Sequence, residues 1–515
     1  MIDNGFNQLS SENAKKLQLL GEHIRIDLHS YDVTCTIRDD LIGTYVAHVH
    51  SRNLVPAIKS KYSAADIDKL IDLTAPATHL DVSIRPHGTF IAAANADSTL
   101  AKRTNYDAVW MRDSLWGHLG LGVQVDRAKD SIAVLATQLD YLASQRGRME
   151  YAIAHAEQII SSGNDADDQA IHVRFDPCSP TYDDIQIDGR FQPWTHKQND
   201  ALGLLLDTAC GAVLHGDVPL SWMAQSGRID ALALLIQYFS AVKYHTMEDS
   251  GSWEEIQKRN TSSIGLVVSG LERSLLLADK EKSFGLALFS KIPKAEIIRM
   301  IDDGYDAIET AIAAGGESPC YDATDPRFRT ADAALLNLVF PAKLQRLSTT
   351  DKIRIIDLVD PLVREYGVLR YVGDTYQSAN FWFNDIKTDT SAESHRKREA
   401  SFIAGTEAQW FFDSWLVLTH LAVYEETSDP VYLAKATKHL NRALGQITPE
   451  AHKPDIFAAD GRLAFPFSLP ESYNTVCVNG SMFVLPSPIA PLNWSKSMLS
   501  LALNRYRHIQ DGRHD

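Results

Sequence analysis

Helical periodicity dominates this chain from about Ala108 onward and limits the possible folds more than any other feature. Apolar residues recur at the spacing of one helix face in about eleven or twelve segments. The predicted helices lie near residues 108–122, 126–145, 197–215, 221–244, 261–279, 294–314, 351–366, 407–425, 430–446 and 494–507, with one or two more between 328 and 345. Many are apolar over a wide face, as in Leu202–Leu206, so they pack on more than one side. No short repeat is visible, and a closed double ring of helices, an α/α toroid, fits better than a bundle.

The first hundred residues show a different pattern. Helices are predicted from Ser11 to about His23 and from Ser63 to Leu73, and Gly43–His50 is typical of a β-strand. A chain of 515 residues is long for one ordinary core. We therefore expect a small mixed N-terminal appendage over residues 1–95 and a helical domain over residues 96–515.

Long segments without helical periodicity interrupt the pattern. They cover residues 146–195, 315–330, 368–405 and 447–493. We predict irregular loops there, and loops of this length in a compact domain are usually functional. Most clusters of aromatic and charged residues fall at the ends of these loops, so the loops are where we expect the functional site.

The charge balance limits the class of ligand. The formal net charge is -16. Nucleic acids and anionic membranes are bound by basic patches, so we expect neither as the main partner. No apolar stretch is long enough to cross a bilayer. A neutral small molecule fits this composition, because it needs no electrostatic steering.

The remaining composition predicts a reduced, cofactor-free protein. The five cysteines lie far apart and form no CxxC pair, which is typical of free thiols in a cytoplasm. Met1–Gly5 is polar, and no basic region followed by an apolar run is seen, so we expect no signal peptide and a cytoplasmic location. No paired-histidine motif with a supporting carboxylate, phosphate-binding glycine loop or Gly-x-Ser-x-Gly motif occurs, so we expect no metal and no cofactor.

One acidic cluster is a candidate for a general acid. Asp249–Glu255 places Glu254 and Glu255 beside Trp253. A glutamate against this indole would be poorly hydrated, and poor hydration raises a carboxyl pKa and keeps the acid protonated. The structural alternative is an acidic first turn of a helix, which favours the helix dipole.

A second cluster supplies a candidate general base. Leu469–Asn474 places Glu471 after a proline on a rigid loop, and Pro488–Ser495, which contains Trp494, follows. The alternative is an exposed loop glutamate, the usual place for this residue type. Two carboxylates with flanking rings are what cleavage of a glycosidic bond requires. One protonates the leaving oxygen, one activates water, and the rings offer flat faces to a sugar.

Three further clusters offer groups that bind hydroxyls. Arg112 and Asp113, within Tyr106–Ser114, combine a fork of donors with an acceptor, although a helix start with a surface ion pair is the simpler explanation for them alone. Pro193–Asp200 contains an indole and several polar groups, and could instead be a capped helix start. Gly367–Tyr376 is rich in aromatic and hydrogen-bonding groups and leads to Phe381, Trp382 and Phe383; its alternative is a strand and turn.

The order of these clusters resembles glycoside hydrolase family 15, the glucoamylase family. It is equally similar to the glucoamylase-like part of the phosphorylase kinase regulatory subunits. The matching segments are Tyr106–Ser114 (W-x-R-D), Trp194–Asp200 (W…Q-N-D), Trp253–Glu255 (W-E-E), Arg370–Tyr376 (R-Y…D-x-Y), Glu471–Asn474 (E-Q-Y-D) and Pro491–Ser495 (L-x-W-S). The resemblance covers roughly residues 85 to 508 and implies an (α/α)6 barrel.

The resemblance also implies roles for individual residues. Glu254 would be the general acid and Glu471 the general base, while Arg112 and Asp113 would hold the glucose at the non-reducing end. The pocket toward the next sugar would be lined by Trp194, Glu255 and Arg370. Lys197, Trp253 and Trp494 complete the predicted substrate-binding set.

Some residues depart from the family pattern. Asn199-Asp200 is followed by Ala201-Leu202, where many members have Gly-Pro, and Ser472 and Asn474 replace the common Gln and Asp. The first hundred residues are too few for the β-sandwich of many prokaryotic members, and we find no starch-binding module. A soluble oligosaccharide is therefore the expected substrate.

The predicted function is an inverting, exo-acting α-glucosidase in carbohydrate or polysaccharide metabolism that releases β-glucose from a soluble α-linked glucooligosaccharide. Two alternatives stay open: a weak or inactive sugar-binding regulatory protein like the phosphorylase kinase subunits, and a trehalase-type disaccharide hydrolase. The sequence does not distinguish α-1,4, α-1,6 and α,α-1,1 linkages, because loop shape sets that choice.

Overall fold

The computed structural model describes residues 31–74, 80–85, 88–93, 106–163, 169–187, 189–376, 392–450, 465–478, 481–487 and 489–512. The helix predicted between Ser11 and His23, the aromatic residues Phe381–Phe383 and the predicted boundary at residue 95 lie outside the described residues. The division into an appendage and a helical domain therefore stays a prediction.

The described α-helices are, in chain order, α1 (Ala64–Leu73), α2 (Met111–Gly122), α3 (Ala128–Ser144), α4 (Arg146–Ala154), α5 (Ala156–Ser161), α6 (Asn199–His215), α7 (Leu220–Met223), α8 (Arg228–Ala241), α9 (Thr261–Lys280), α10 (Lys282–Phe289), α11 (Lys294–Ala314), α12 (Thr349–Val359), α13 (Ala392–Ser401), α14 (Asp413–Thr427), α15 (Pro430–Gly445) and α16 (Asn493–Gln510). The strands are β1 (Val33–Asp39), β2 (Gly43–Val49), β3 (Val109–Trp110), β4 (Arg174–Phe175), β5 (Gln186–Ile187), β6 (Arg190–Phe191), β7 (Gln409–Trp410), β8 (Ser472–Val478) and β9 (Ser481–Pro486).

The protein is mainly helical, and its helices form two concentric rings. The inner ring runs through α2, α6, α9, a short 3₁₀ helix (Ala333–Leu338), α14 and α16, and it closes because α16 packs on α2. The outer ring consists of α3, α8, α11, α12, α15 and α1. The first five each follow an inner element along the chain, whereas α1 comes from the N-terminal part and packs on α16. This is an (α/α)6 toroid, which confirms the closed double ring predicted from the helical pattern and the (α/α)6 barrel implied by the family resemblance.

Side-chain size explains how closely the inner helices approach. Nearly every side chain of α6 is buried, because neighbours surround it on all sides. A Cβ on Gly203 would lie 2.6 Å from the backbone nitrogen of Val267 in α9, and one on Gly270 would lie 2.9 Å from the oxygen of Gly203. Only glycine permits this crossing, so both positions set the distance between α6 and α9.

The N-terminal elements pack against the last two helices of the rings. The antiparallel hairpin β1–β2 lies against α15, and α1 lies against α16. Ser63 and Asp66 form a capping box that begins α1, where the sequence places its start. Ile67 and Val49 belong to the same hydrophobic cluster as the inner helices.

Several predicted boundaries were wrong for identifiable reasons. The helix predicted over 351–366 ends at Val359 and continues as a 3₁₀ turn, because Pro361 has no backbone N–H to donate. The helix predicted from residue 407 begins at Asp413, because Gln409 and Trp410 pair with β8. The element between 328 and 345 is the 3₁₀ helix of the inner ring. Segments predicted as irregular contain α4, α5, α13 and the hairpin β8–β9.

Candidate active site

Residues at or just before the first turns of several inner helices line one cavity. The cavity encloses about 750 Å³ of empty space, part of it open to solvent. All the predicted site residues except Lys197 line it: Arg112, Asp113, Trp194, Trp253, Glu254, Glu255, Arg370, Glu471 and Trp494. The two candidate catalytic carboxylates, more than two hundred positions apart in the chain, therefore face the same space.

Arg112 is the centre of a buried network beneath the cavity. Its Nε and one terminal nitrogen donate to both carboxylate oxygens of Asp200, at 2.6 and 3.1 Å. The same terminal nitrogen donates to Gln198 Oε1 at 2.7 Å and to the carbonyl oxygen of Gly251 at 3.1 Å. The other terminal nitrogen donates to Glu254 Oε1 at 3.0 Å. The guanidinium thus fixes the first turn of α6 and Glu254 relative to α2.

Glu254 is held in a strained backbone conformation. Its φ of 56° and ψ of 44° lie in the left-handed region, which is unusual for a residue with a Cβ and is common at functional sites. Its other carboxylate oxygen accepts a hydrogen bond from Trp194 Nε1 at 2.9 Å. Burial raises the pKa of Glu254 above its ordinary value, although Arg112 and Trp194 oppose this effect. About 18% of its side chain is exposed, so a ligand in the cavity can reach it.

Glu471 lies on another segment of the cavity wall, immediately before β8. Its backbone N–H donates to the carbonyl of Ile489 at 2.9 Å, and its carboxylate accepts a short hydrogen bond from the hydroxyl of Tyr106. Burial raises the pKa of Glu471, and the charges of Asp113 and Glu254 add to this effect. The bond from Tyr106 and the charge of Arg370 oppose it, and the resulting pKa is about 8. Most of this group is therefore protonated at neutral pH in the free protein.

Glu255 has a different environment from its neighbour in sequence. It accepts hydrogen bonds from an Arg370 terminal nitrogen at 2.8 Å and from the Tyr371 hydroxyl at 2.7 Å. Burial alone would raise its pKa, but Arg370, Lys258 and other cations together lower it to about 2. Glu255 is therefore ionised at neutral pH and does not suit the role of a proton donor.

Arg370 joins this anion to the aromatic wall. It donates to both oxygens of Asp374, at 2.7 and 2.6 Å. Its guanidinium carbon lies 4.8 Å from the ring centroid of Trp410 and 5.4 Å from that of Trp253. The guanidinium of Arg370 is therefore fixed in one orientation by ion pairs and by cation–π contacts.

Two tryptophans on the wall carry unused hydrogen-bond donors. The indole nitrogens of Trp410 and Trp494 are buried and have no hydrogen-bond partner among the described residues. By contrast, Trp253 Nε1 donates to Asp332 at 2.8 Å. Unpaired buried donors are rare and call for an explanation, and a ligand with many hydroxyl oxygens would accept from them.

Asp113 adds a further carboxyl to the cavity. It follows Arg112 in the first turn of α2, where the positive end of the helix dipole favours an anion. Burial nevertheless raises the pKa of Asp113 to about 7, with Arg112 lowering it and the charge of Glu254 raising it. The charge of Glu254 therefore raises the pKa of both Asp113 and Glu471.

Lys197 is the predicted site residue that the structure places elsewhere. Its side chain is fully buried, and its ammonium donates to the carbonyl oxygens of Ile159, at 3.2 Å, and Ser162 at the end of α5. The positive charge there interacts favourably with the C-terminal end of that helix. These contacts account for the buried ammonium of Lys197 without a substrate, and its predicted part in substrate binding stays a prediction.

Several lining residues had no assigned role in the sequence analysis. They are Ala92, Tyr106, Trp110, Ser252, Tyr376, Arg398, Trp410 and Leu492. Trp410 had a detectable signal, because it stands in an aromatic and acidic cluster just before an apolar helix, as the predicted clusters do. Arg398 had none, because α13 lies in a segment without an apolar face.

Comparison with solved structures identifies the class of fold. A glycosidase variant in complex with glucose superposes with a TM-score of 0.55 over 87% of this chain and 99% of its own, at 17% identity. The glucoamylase of Saccharomycopsis fibuligera superposes with a TM-score of 0.52 over 88% of this chain and 99% of its own, at 14% identity. The protein therefore has the toroid fold of glucoamylases and related glycosidases.

Sequence comparison places the chain in a narrower group. It is 37% identical to the uncharacterized lipoprotein YgeQ of Escherichia coli (strain K12) over 218 residues, which are 42% of this chain and 82% of that protein. The chain belongs to the same family as YgeQ. No family model matches it.

The predicted location stays open. The name lipoprotein applies to YgeQ and does not test the predicted cytoplasmic location of this chain. Among the described helices, none is long and apolar enough to cross a membrane. The described cysteines Cys35, Cys178, Cys210 and Cys320 are free.

Proposed function

We propose that this protein is a glycoside hydrolase of the glucoamylase type, related to glycoside hydrolase family 15. It would be an inverting, exo-acting α-glucosidase that releases β-glucose from the non-reducing end of a soluble α-linked glucooligosaccharide. The observation that carries the proposal is the presence of Glu254 and Glu471 in one cavity with aromatic walls and a fixed guanidinium.

The proposed roles follow the resemblance to glycoside hydrolase family 15. Glu254 is the general acid, and its access from the cavity and its raised pKa suit that role. Glu471 is the general base that activates water, with Tyr106 orienting its carboxyl group. In an inverting enzyme the two carboxyls stand about 6.5–9.5 Å apart, which leaves room for that water.

The proposed substrate contacts use the remaining wall. Arg112 and Asp113 hold the terminal sugar, and the rings of Trp194, Trp253 and Trp494 offer flat faces to it. Glu255 and Arg370 bind hydroxyls of the next sugar. A cavity at one mouth of a closed helical ring suits the end of an oligosaccharide better than the middle of a polymer, which supports exo action.

The first test is product identity and stereochemistry. The full-length protein is incubated with maltose, isomaltose, trehalose and maltooligosaccharides, and the first-formed product is followed by NMR before mutarotation. We expect β-glucose from at least one substrate. Initial α-glucose would refute the base role of Glu471, and oligosaccharide binding without any glucose release would support the regulatory alternative.

The second test is the pH dependence of kcat/KM. Activity needs one proton on the two carboxyls, and that proton must lie on Glu254. In the free protein Glu471 holds the proton more strongly, because Arg112 and Trp194 lower the pKa of Glu254. We expect a bell-shaped pH profile whose two limbs report the titration of Glu254 and Glu471 together. Loss of the last proton from these two carboxyls sets the basic limb near pH 8.

The variant Tyr106→Phe tests whether the pKa of Glu471 sets the basic limb of the pH profile. The hydroxyl of Tyr106 stabilises the ionised form of Glu471, so its removal raises that pKa. We expect the basic limb to move to higher pH and the maximum to fall, because a smaller share of the proton resides on Glu254. An unchanged basic limb in a well-folded variant would contradict the assignment of that limb to Glu471.

A further inference from the structure

Among the residues that the structure describes, one group away from the cavity brings three metal-binding side chains together. Asp360 begins the 3₁₀ turn after α12, His420 lies in α14 and His439 lies in α15. One ligand atom from each lies within 4.8 Å of one from each of the others. None of the three lines the cavity. Two imidazoles and a carboxylate are a donor set typical of zinc.

His420 is the residue whose position most needs an explanation. Its side chain is 1% exposed, and its Nδ1 is buried without a hydrogen-bond partner among the described residues. Leaving a buried polar atom unpaired costs free energy, because the atom loses its hydrogen bonds to water. A bound cation would satisfy the imidazole and remove this cost.

His439 is oriented as a metal-binding histidine would be. Its Nδ1 lies 2.8 Å from Asp413 Oδ1, so the proton on that nitrogen is donated to the carboxylate and Nε2 keeps its lone pair. Asp413 is itself held by Arg442, whose Nε donates to it at 2.7 Å. A carboxylate behind a histidine fixes both the tautomer and the ring orientation.

The charges around the group act in both directions. Lys435 and Lys438 lie close enough to His420 for their positive charges to act on it. The same lysines repel a cation. The carboxylate of Asp360 supplies the negative charge that offsets them.

We propose that Asp360, His420 and His439 bind one divalent cation of the zinc type, with water at the remaining coordination position. Zinc bonds to nitrogen and oxygen are about 2.0–2.2 Å long. The three ligand atoms, which now lie within 4.8 Å of one another, must therefore move closer together when zinc binds. Asp360 is exposed, and its carboxylate can rotate toward the two rings. The ion would tie the end of α12 to α14 and α15, and α14 directly follows the strand that carries Trp410.

The test measures zinc binding to the full-length protein after removal of metal with a chelator. Chelator-buffered zinc titrations and elemental analysis give affinity and stoichiometry, and calorimetry gives the thermal midpoint. Asp360→Asn removes a ligand at an exposed position, and Asp357→Asn is the matched control, since it removes the same charge from an exposed position in α12.

We expect the wild type and Asp357→Asn to bind one equivalent of zinc and to unfold at a higher temperature when it is bound. Asp360→Asn should bind at least about 10-fold more weakly. In the cobalt-substituted wild type, visible absorption bands of four-coordinate cobalt should appear and be lost in Asp360→Asn. Absence of stoichiometric binding in the wild type, or equal affinity in the two variants, would overturn the proposal. Because Asp360 is exposed, its substitution should leave the fold intact, so the test needs no change at a buried histidine.

Discussion

Glu254→Gln is expected to lower kcat on maltooligosaccharides by about 10²–10⁴-fold, the usual contribution of a general acid. The amide keeps the shape of the side chain and its acceptor for Arg112 or Trp194, but it cannot donate a proton to the glycosidic oxygen. A glucosyl fluoride needs little protonation to leave. The loss on that substrate should therefore be much smaller than the loss on an oligosaccharide.

The control for Glu254→Gln is Glu309→Gln, which makes the same chemical change at an exposed position of α11. Circular dichroism and the thermal midpoint should match the wild type in both variants. Near-normal activity of a folded Glu254→Gln protein would show that another group donates the proton. Equal losses on oligosaccharide and fluoride would exclude a role limited to leaving-group protonation.

Glu471→Gln is expected to lower kcat by about 10²–10⁴-fold on every substrate, the fluoride included. An amide cannot accept a proton from the attacking water, and a better leaving group does not replace that step. Removing the buried, partly charged carboxyl should leave stability unchanged or raise it, because burial opposes ionisation of Glu471. Initial-rate measurements on maltose and the fluoride, with the thermal midpoint, check both statements.

The activities of the two variants on oligosaccharide and on fluoride distinguish the proposed acid and base from the opposite assignment. The raised pKa of Glu471, at about 8, would also suit a proton donor. If Glu471→Gln recovers on the fluoride while Glu254→Gln does not, the acid is Glu471 and the base is Glu254. Loss of oligosaccharide binding in either variant, without a change in turnover, would assign that residue to binding alone.

Much of the fold could be predicted from the sequence, because helix formation depends on local patterns. The observed α11 has the predicted bounds, and α9 begins at the predicted residue. Predictions failed where a partner distant in the chain decided the structure. Gln409 and Trp410 follow the helical pattern locally but pair with β8, and Ala333–Leu338 forms a 3₁₀ helix within the closed ring.

The candidate site could also be predicted only in part from local sequence patterns. The clusters of aromatic and charged residues are visible in the sequence, and the resemblance of their order to glycoside hydrolase family 15 singled out Arg112, Glu254 and Glu471. Their meeting in one cavity depends on closure of the ring between α16 and α2, which joins the two ends of the helical region. Lys197 shows the limit of motif reasoning, since its neighbour Trp194 lines the cavity while its own ammonium binds carbonyls at the end of α5.

Glu254 and Glu255 show most clearly what the sequence determines and what the tertiary structure determines. The sequence by itself determined that two adjacent carboxyls follow Trp253 before an apolar helix. Only the tertiary structure made them different, because the left-handed backbone of Glu254 directs the two side chains to separate partners. Glu254 faces Arg112 and Trp194 with a raised pKa, whereas Glu255 meets Arg370 and Tyr371 and has a pKa of about 2. A carboxyl's proton affinity depends on the burial and charges within a few ångströms, and those neighbours come from helices that only the closed toroid brings together.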